Sequence, residues 1–193
     1  HVTHMEQFDE LLDPPGYDLC SILVGSEGTL GIVTEITVRI LPSAEAVVTL
    51  LAVYDHVADA ARSVSEIIAE GIVPASLEMM DAPVMRAVEE SYPCGYPLDA
   101  AAVLIIEVDG PAVGLRGQAE RIREICSAQG CRQVREAGDS GERDLLWAGR
   151  RGAFGAIARL SPSYLVADCT VPRTKIPEAL ERLAVGIDWV GLF

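Results

Sequence analysis

The chain has 193 residues, half of them hydrophobic, and a formal net charge of −14. That is enough apolar material to build a packed core in one or two domains. The acidic balance excludes the basic surfaces that hold nucleic acid or an anionic membrane.

No run approaches the ~20 apolar residues of a membrane-spanning helix, and the first sixteen residues lack the apolar centre of a secretion signal. Cys20, Cys94, Cys126, Cys131 and Cys169 form no C-x-x-C pair and have no histidine at zinc-site spacing. They read as reduced thiols of a cytoplasmic protein.

In chain order, residues 1–16 are polar and close in the turn Pro14-Pro15-Gly16. Residues 17–24 carry a short apolar run that fits a strand or a buried turn. Gly25, Gly28 and Gly31 then sit among small polar residues, and Ile32, Thr34, Ile36, Val38 and Ile40 fall on one parity after them. This pattern predicts a glycine-rich turn feeding a strand with one buried face, ended by Pro42. Residues 41–43 form a plausible domain boundary.

Beyond it, strands and helices alternate. A strand is predicted over 46–54. A helix follows over 56–70, capped by Asp55, with Val57, Ala60, Ala61, Val64, Ile67 and Ile68 on one face and Gly71 as its stop. Residues 75–80 read as a strand. Asp81 caps a helix to about residue 91 with Pro83 in its first turn, and 92–98 is a loop. Residues 101–108 are nearly all apolar and read as a central strand. A helix opens at Pro111 and ends at Gly130, with a strand over 132–137 after it. Ser140 is expected to cap a long helix to residue 160. A strand over 163–168 and a last helix opening at Thr174 or Pro177 complete the chain. The order predicts an α+β fold of ferredoxin-like type, a mainly antiparallel sheet with helices over one face.

By spacing alone the glycine loop admits two readings. It is a tight bend beside a sheet, or a place where backbone N–H groups approach a phosphate or a flat cofactor, because glycine tolerates φ > 0. No Gly-Lys-Ser/Thr follows, so it is not a Walker loop. A strand follows where a dinucleotide fingerprint needs a helix. Arg150 and Arg151 stand on a predicted helix beside Trp147 and Phe154. Taken alone, two such arginines are a solvated face with buried stems.

The longer strings are more specific. DPPGYDLCSILVGSEGTLGIVTEITVRILP (13–42), GYPLDAAAVLIIEVDG (95–110), LLWAGRRGAFGAIARLSPSYLVAD (145–168) and VPRTKIPEALERL (171–183) resemble FAD-linked oxidases of the vanillyl-alcohol-oxidase type. The resemblance is strongest to the glycolate oxidase D-subunit and D-lactate dehydrogenase branch, and it covers nearly the whole chain.

The resemblance implies FAD as cofactor and a small 2-hydroxy acid, glycolate or D-lactate, as substrate, oxidised by hydride transfer to the flavin. It implies that Gly25, Ser26, Glu27, Gly28, Thr29, Gly31, Ile32 and Val33 line FAD, mostly through backbone N–H groups, with Ile32 packed on a ring. Arg150 is implied as the clamp on the substrate carboxylate, which its planar fork suits, and Tyr164 as a second substrate contact. Ala167 stands where the family usually carries Glu or Gln, and Asp168 reads as structural. Residues 1–43 would be the end of an FAD-binding domain and 44–193 a substrate, or cap, domain cut short at its C-terminus.

In the family, a first phosphate cradle lies before the point that matches residue 1. Its catalytic and metal-binding histidines lie after the last helix. His1, His4 and His56 match none of these, so no catalytic or metal residue is assigned. The chain is expected to be a fragment, inactive alone, that joins partner subunits or self-associates. The rival reading is a non-catalytic ferredoxin-like binding or assembly module.

Overall fold

The computed structural model describes residues 17, 19–36, 38, 40, 42–161, 163, 165–166 and 169–184. The chain divides into two compact units, residues 1–42 and 43–193.

The second unit is built on a four-stranded antiparallel sheet of β1 (Ala46–Tyr54), β2 (Ser76–Asp81), β3 (Ala102–Gly110) and β4 (Cys131–Glu136), in the order β2-β3-β1-β4. Each neighbouring pair is antiparallel, so β1 and β2 run parallel with β3 between them. That is the split βαβ arrangement of a ferredoxin-like fold. The connecting helices are α2 (Val57–Ala69), α3 (Ala82–Ser91) and α4 (Ala112–Ala128). They are followed by α5 (Ser140–Ile157), a 3₁₀ turn at Arg173–Lys175, and α6 (Ile176–Ala184).

Helices cover both faces of the sheet, where the sequence reading placed them on one. Leu50, Ala52, Tyr54, Leu104, Ile106 and Val108 point to a core shared with α2, α4 and Leu180 of α6. Leu51, Val53, Val103 and Ile105, of the other parity, point to a second core shared with α3 and α5. This is why β1 and β3 are apolar almost without a break: a strand buried on both sides has no parity left for polar residues. Each large aliphatic side chain so buried stabilises by about 1.5–3 kcal/mol. In the first core the Tyr54 hydroxyl donates to Ser63 Oγ at 2.8 Å, and burial pushes the tyrosine pKa far upward. Burial also pushes the Cys126 thiol up to about 11, which suits an inert packing residue.

Local chemistry explains most boundaries. Asp81 caps α3 by accepting from Val84 N at 3.0 Å, with Pro83 in the first turn where its missing N–H costs nothing. Gly130, at φ +86°, ends α4.

Three boundaries differ from the sequence reading. Asp55 is not the cap of α2; His56 holds that position without a side-chain cap bond, and Asp55 pairs with Arg132. Asp139, not Ser140, caps α5, accepting from Glu142 N at 2.9 Å while Glu142 reaches back to Gly138 N. The predicted strand over 163–168 does not form among its described residues, Ser163, Leu165 and Val166.

In the first unit, residues 17–24 hold a short helix, α1 (Leu19–Leu23), in place of a strand or buried turn. The alternating stretch 32–40 is not a strand at its described positions, and its side chains face solvent: Ile32 is 90% exposed and Ile40 84%. A period of two becomes a strand only when a neighbouring strand accepts its N–H and C=O groups, and among the described residues none does.

Candidate functional site

The helix that matters most is α5. Its buried face is Leu146, Gly149, Ala153 and Ala156, and the small residues let it lie close to its neighbours. A Cβ on Gly149 would come within 2.7 Å of the Tyr96 ring and 2.8 Å of Cys94 Sγ, and one on Gly152 within 3.1 Å of the Tyr92 ring. The Tyr96 hydroxyl donates to Leu146 O. The middle of α5 is therefore fixed against the loop before β3.

Beside that face run Arg143, Trp147 and Arg150, spaced by four and three residues, so they form one stripe. The stripe meets acidic residues that the strand register brings together. Thr49, Glu107 and Ser76 are cross-strand partners on β1, β3 and β2, and Leu51, Ile105 and Glu78 form the next row on the same face.

Glu107 is saturated. Arg143 donates to both of its oxygens, Nε to Oε2 and Nη2 to Oε1, each at 2.8 Å. The Thr49 hydroxyl and the Trp147 indole N–H add bonds to Oε2 at 2.7 Å each. Burial of this 12% exposed side chain pushes its pKa upward, but the bonds from Arg143, Thr49 and Trp147 outweigh burial and hold it below the ordinary carboxylate value.

Arg150 is bound more loosely. Its Nε and Nη2 both donate to a single oxygen, Glu78 Oε2, at 3.0 and 2.7 Å. The two side chains are 19% and 29% exposed. The Nη1 group of Arg150 and Oε1 of Glu78 have no hydrogen-bond partner among the described residues. A guanidinium held this way keeps one fork for a carboxylate.

The glycine loop lies in the first unit. Gly25 (φ +82°), Glu27 (φ +49°) and Gly28 (φ +80°) all take left-handed conformations. Ser26 N donates to Leu23 O at 3.1 Å, and Thr29 donates to Ser26 O through both its N–H and its hydroxyl. The amides of Glu27 and Gly28 enter no backbone hydrogen bond among the described residues. An exposed turn with two uncommitted amides and no Cβ crowding at Gly25, Gly28 or Gly31 fits backbone contact with a pyrophosphate or a flat ring. Ile32 and Val33 lie exposed just beyond it.

The structure thus brings Gly25, Ser26, Glu27, Gly28 and Thr29 into one turn and sets Arg150 on Glu78. Tyr164, Ala167 and Asp168 lie outside the described residues. Arg151 is exposed. Sequence reasoning missed Glu78, Glu107 and Thr49. For the two glutamates the only local signal was an acid inside an apolar strand, as in Ile105-Ile106-Glu107-Val108. Among the described residues no three His, Cys, Asp or Glu side chains gather as a metal site, and no helix is long and apolar enough to cross a membrane.

Fold and stripe together define an α+β domain with a ferredoxin-like sheet, helices on both faces and an arginine-bearing helix over one of them. By fold it is similar to a solved alkyldihydroxyacetonephosphate synthase, with a TM-score of 0.67 at 19% identity, covering 87% of this chain and 36% of that one. The family described as "FAD linked oxidases, C-terminal domain" matches residues 43–188. This chain belongs to that family. It is 45% identical to the glycolate oxidase subunit GlcD of Escherichia coli (strain K12) over 91% of this chain and 35% of that protein. Against the GlcD subunit of Bacillus subtilis (strain 168) the identity is 43%, over 89% and 36%. Against a mitochondrial D-lactate dehydrogenase [cytochrome] of Arabidopsis thaliana it is 29%, over 90% and 30%. The chain spans about a third of the length of these relatives.

Proposed function

We propose that residues 43–188 serve as the substrate domain of an FAD-dependent oxidoreductase for a small 2-hydroxy acid such as glycolate or D-lactate. The observation that carries this is Arg150. Its guanidinium keeps an outer fork that no acid of the described residues faces, whereas Asp144 Oδ1 lies 3.7 Å from Nη1 of Arg143 on the same stripe, in a chain similar to glycolate oxidase subunits. In this reading Arg150 holds the substrate carboxylate through two parallel bonds, and Tyr164 adds a second contact. Gly25, Ser26, Glu27, Gly28, Thr29, Gly31, Ile32 and Val33 contact FAD from the preceding unit, the last part of an FAD-binding domain. FAD, when bound, would supply the acceptor for the hydride of the α-carbon. What this chain's residues do is hold and orient the acid.

The names of the relatives mark some of them as subunits, and we extend partner subunits to this protein. Its five free thiols support a reducing, cytoplasmic setting. The test is a titration of the 193-residue chain with glycolate, followed on the Arg150 side-chain N–H resonance. It is paired with a dye-reduction assay in the presence of added FAD. A saturable shift that disappears in Arg150→Ala is the expected result, without dye reduction by this chain alone. A chain whose resonances ignore glycolate and D-lactate defeats the assignment of Arg150.

A further inference from the structure

Arg150 takes its role only if its fork is held in one place, and α5 alone does not hold it. A free arginine side chain carries roughly 2 kcal/mol of rotamer entropy, and most of that is lost when a ligand fixes it. The structure supplies a partner that removes this freedom in advance.

Glu78 lies on β2, an edge strand of the sheet. Cross-strand pairing sets it opposite Ile105, one row from Glu107, on the face that α5 covers. Nε and Nη2 of Arg150 converge on Glu78 Oε2. Because the guanidinium is planar, two bonds along one edge fix its plane and leave Nη1 and the outer hydrogen of Nη2 as the remaining fork. The neighbouring pair shows the alternative. Glu107 uses both oxygens on Arg143 and receives Thr49 and Trp147 besides, and so leaves no oxygen of its own uncommitted. Arg143 spends the same edge, but Asp144 Oδ1 stands 3.7 Å from its Nη1, so an acid already faces its outer fork, whereas among the described residues the ion pair of Arg150 is with Glu78 alone.

We infer that Glu78 is the positioning residue for Arg150: it orients the guanidinium before a carboxylate arrives and leaves its outer fork unbonded to receive one. The pair is neutral before the acid binds, so a single carboxylate brings the local charge to −1, and the affinity comes from two aligned hydrogen bonds more than from net charge. Removing the Glu78 carboxylate therefore weakens carboxylate binding even though it removes a like charge from the neighbourhood. The inference rests on the reading of Arg150 as the carboxylate clamp.

The experiment uses the 193-residue chain with Glu78→Ala, Glu78→Gln and Arg150→Ala, each checked for its fold by its backbone amide spectrum. The first readout needs no ligand. The Arg150 Nε–H exchanges slowly with water in the wild type, nearly as slowly in Glu78→Gln, which keeps an acceptor oxygen, and at the rate of a free side chain in Glu78→Ala. The second readout is the glycolate dissociation constant. It rises about tenfold in Glu78→Ala, the worth of one lost bond to a charged group, and less in Glu78→Gln.

Glycolate binding that Arg150→Ala abolishes but that Glu78→Ala leaves unchanged or tightens overturns the positioning role, while the clamp stands. Glycolate binding that Arg150→Ala does not touch overturns the clamp, and the positioning role with it. An Arg150 Nε–H that stays protected in Glu78→Ala also overturns the positioning role.

Discussion

Arg143 and Arg150 lie two turns apart on one stripe of α5, and each meets a glutamate of the sheet. The two pairs are built for opposite ends. Arg143 presents its fork to both oxygens of Glu107, and Thr49 and Trp147 complete the carboxylate's bonding. Arg150 brings the same edge to one oxygen of Glu78 and stops there. The strands explain the difference. Glu107 stands on an interior strand with Thr49 directly across from it, whereas Glu78 stands on the edge strand with one strand neighbour. A carboxylate in the interior must find every bond inside the protein or bear the cost of burial. One at the edge keeps water, or a ligand, as an alternative.

The sharpest way to break this contrast is to remove each glutamate. Glu107→Ala leaves the Arg143 guanidinium, the Trp147 N–H and the Thr49 hydroxyl without their shared acceptor, and it should lower unfolding free energy by about 3 kcal/mol. Glu78→Ala, at a partly exposed pair, should cost about 1 kcal/mol. Urea unfolding followed by tryptophan fluorescence measures both. Equal losses would mean that the two pairs are the same kind of contact.

Gly149→Ala sharpens it next. The new methyl group has nowhere to go between Tyr96 and Cys94, and overpacking of this kind costs about 2 kcal/mol. Gly149 is adjacent to Arg150, so the shift should disturb the Glu78 pair before the Glu107 pair. Side-chain N–H resonances of Arg150 and Arg143 report this separately.

Much of the second unit was legible because its two interior strands, β1 and β3, are buried on both sides. The apolar run 46–54 reads as a strand and 101–108 as a central one, and Asp81, Pro83 and Gly130 mark helix ends by chemistry that needs no tertiary context. The same runs also held the sign that was missed: a sheet with helices on one face would have shown alternation, and β1 and β3 show none. The acid–arginine pairs were not legible, since Arg143 finds Glu107 across 36 residues and Arg150 finds Glu78 across 72. No local rule links such positions; the strand register does. The opposite failure is the stretch 32–40, whose alternation is cleaner than that of β1. Periodicity names the face that a sheet would bury, and it carries no information on whether a partner strand is there.

Acid tests the Glu107 pair by another route. The folded-state pKa of Glu107 lies below its ordinary value of 4.5. A depressed carboxylate adds stability that is fully present above the unfolded pKa and is lost as pH falls through the folded one. Between pH 4.5 and the acid transition, the wild type should therefore lose stability with a slope that Glu107→Gln flattens. Urea midpoints measured at half-unit steps from about pH 6 to about pH 3 test this. A Glu107→Gln profile parallel to the wild type would show that the carboxylate's bonds do not favour its charged form.

The smallest effect comes from trading the guanidinium for an ammonium. Lysine keeps the charge but is a point donor on a flexible stem, and it cannot reach two oxygens with parallel bonds. Glu107 receives Arg143 on both oxygens, so Arg143→Lys forfeits one of the two bonds and should cost about 1 kcal/mol. Glu78 receives Arg150 on one oxygen only, and an ammonium can satisfy one oxygen, so Arg150→Lys should stay within about 0.5 kcal/mol of wild type. The same Arg150→Lys substitution removes the spare fork, and glycolate binding should weaken although stability does not. An Arg150→Lys variant that keeps both its stability and its glycolate affinity would mean that charge alone serves at this position, and that the planar edge left open beside Glu78 has no part in holding the acid.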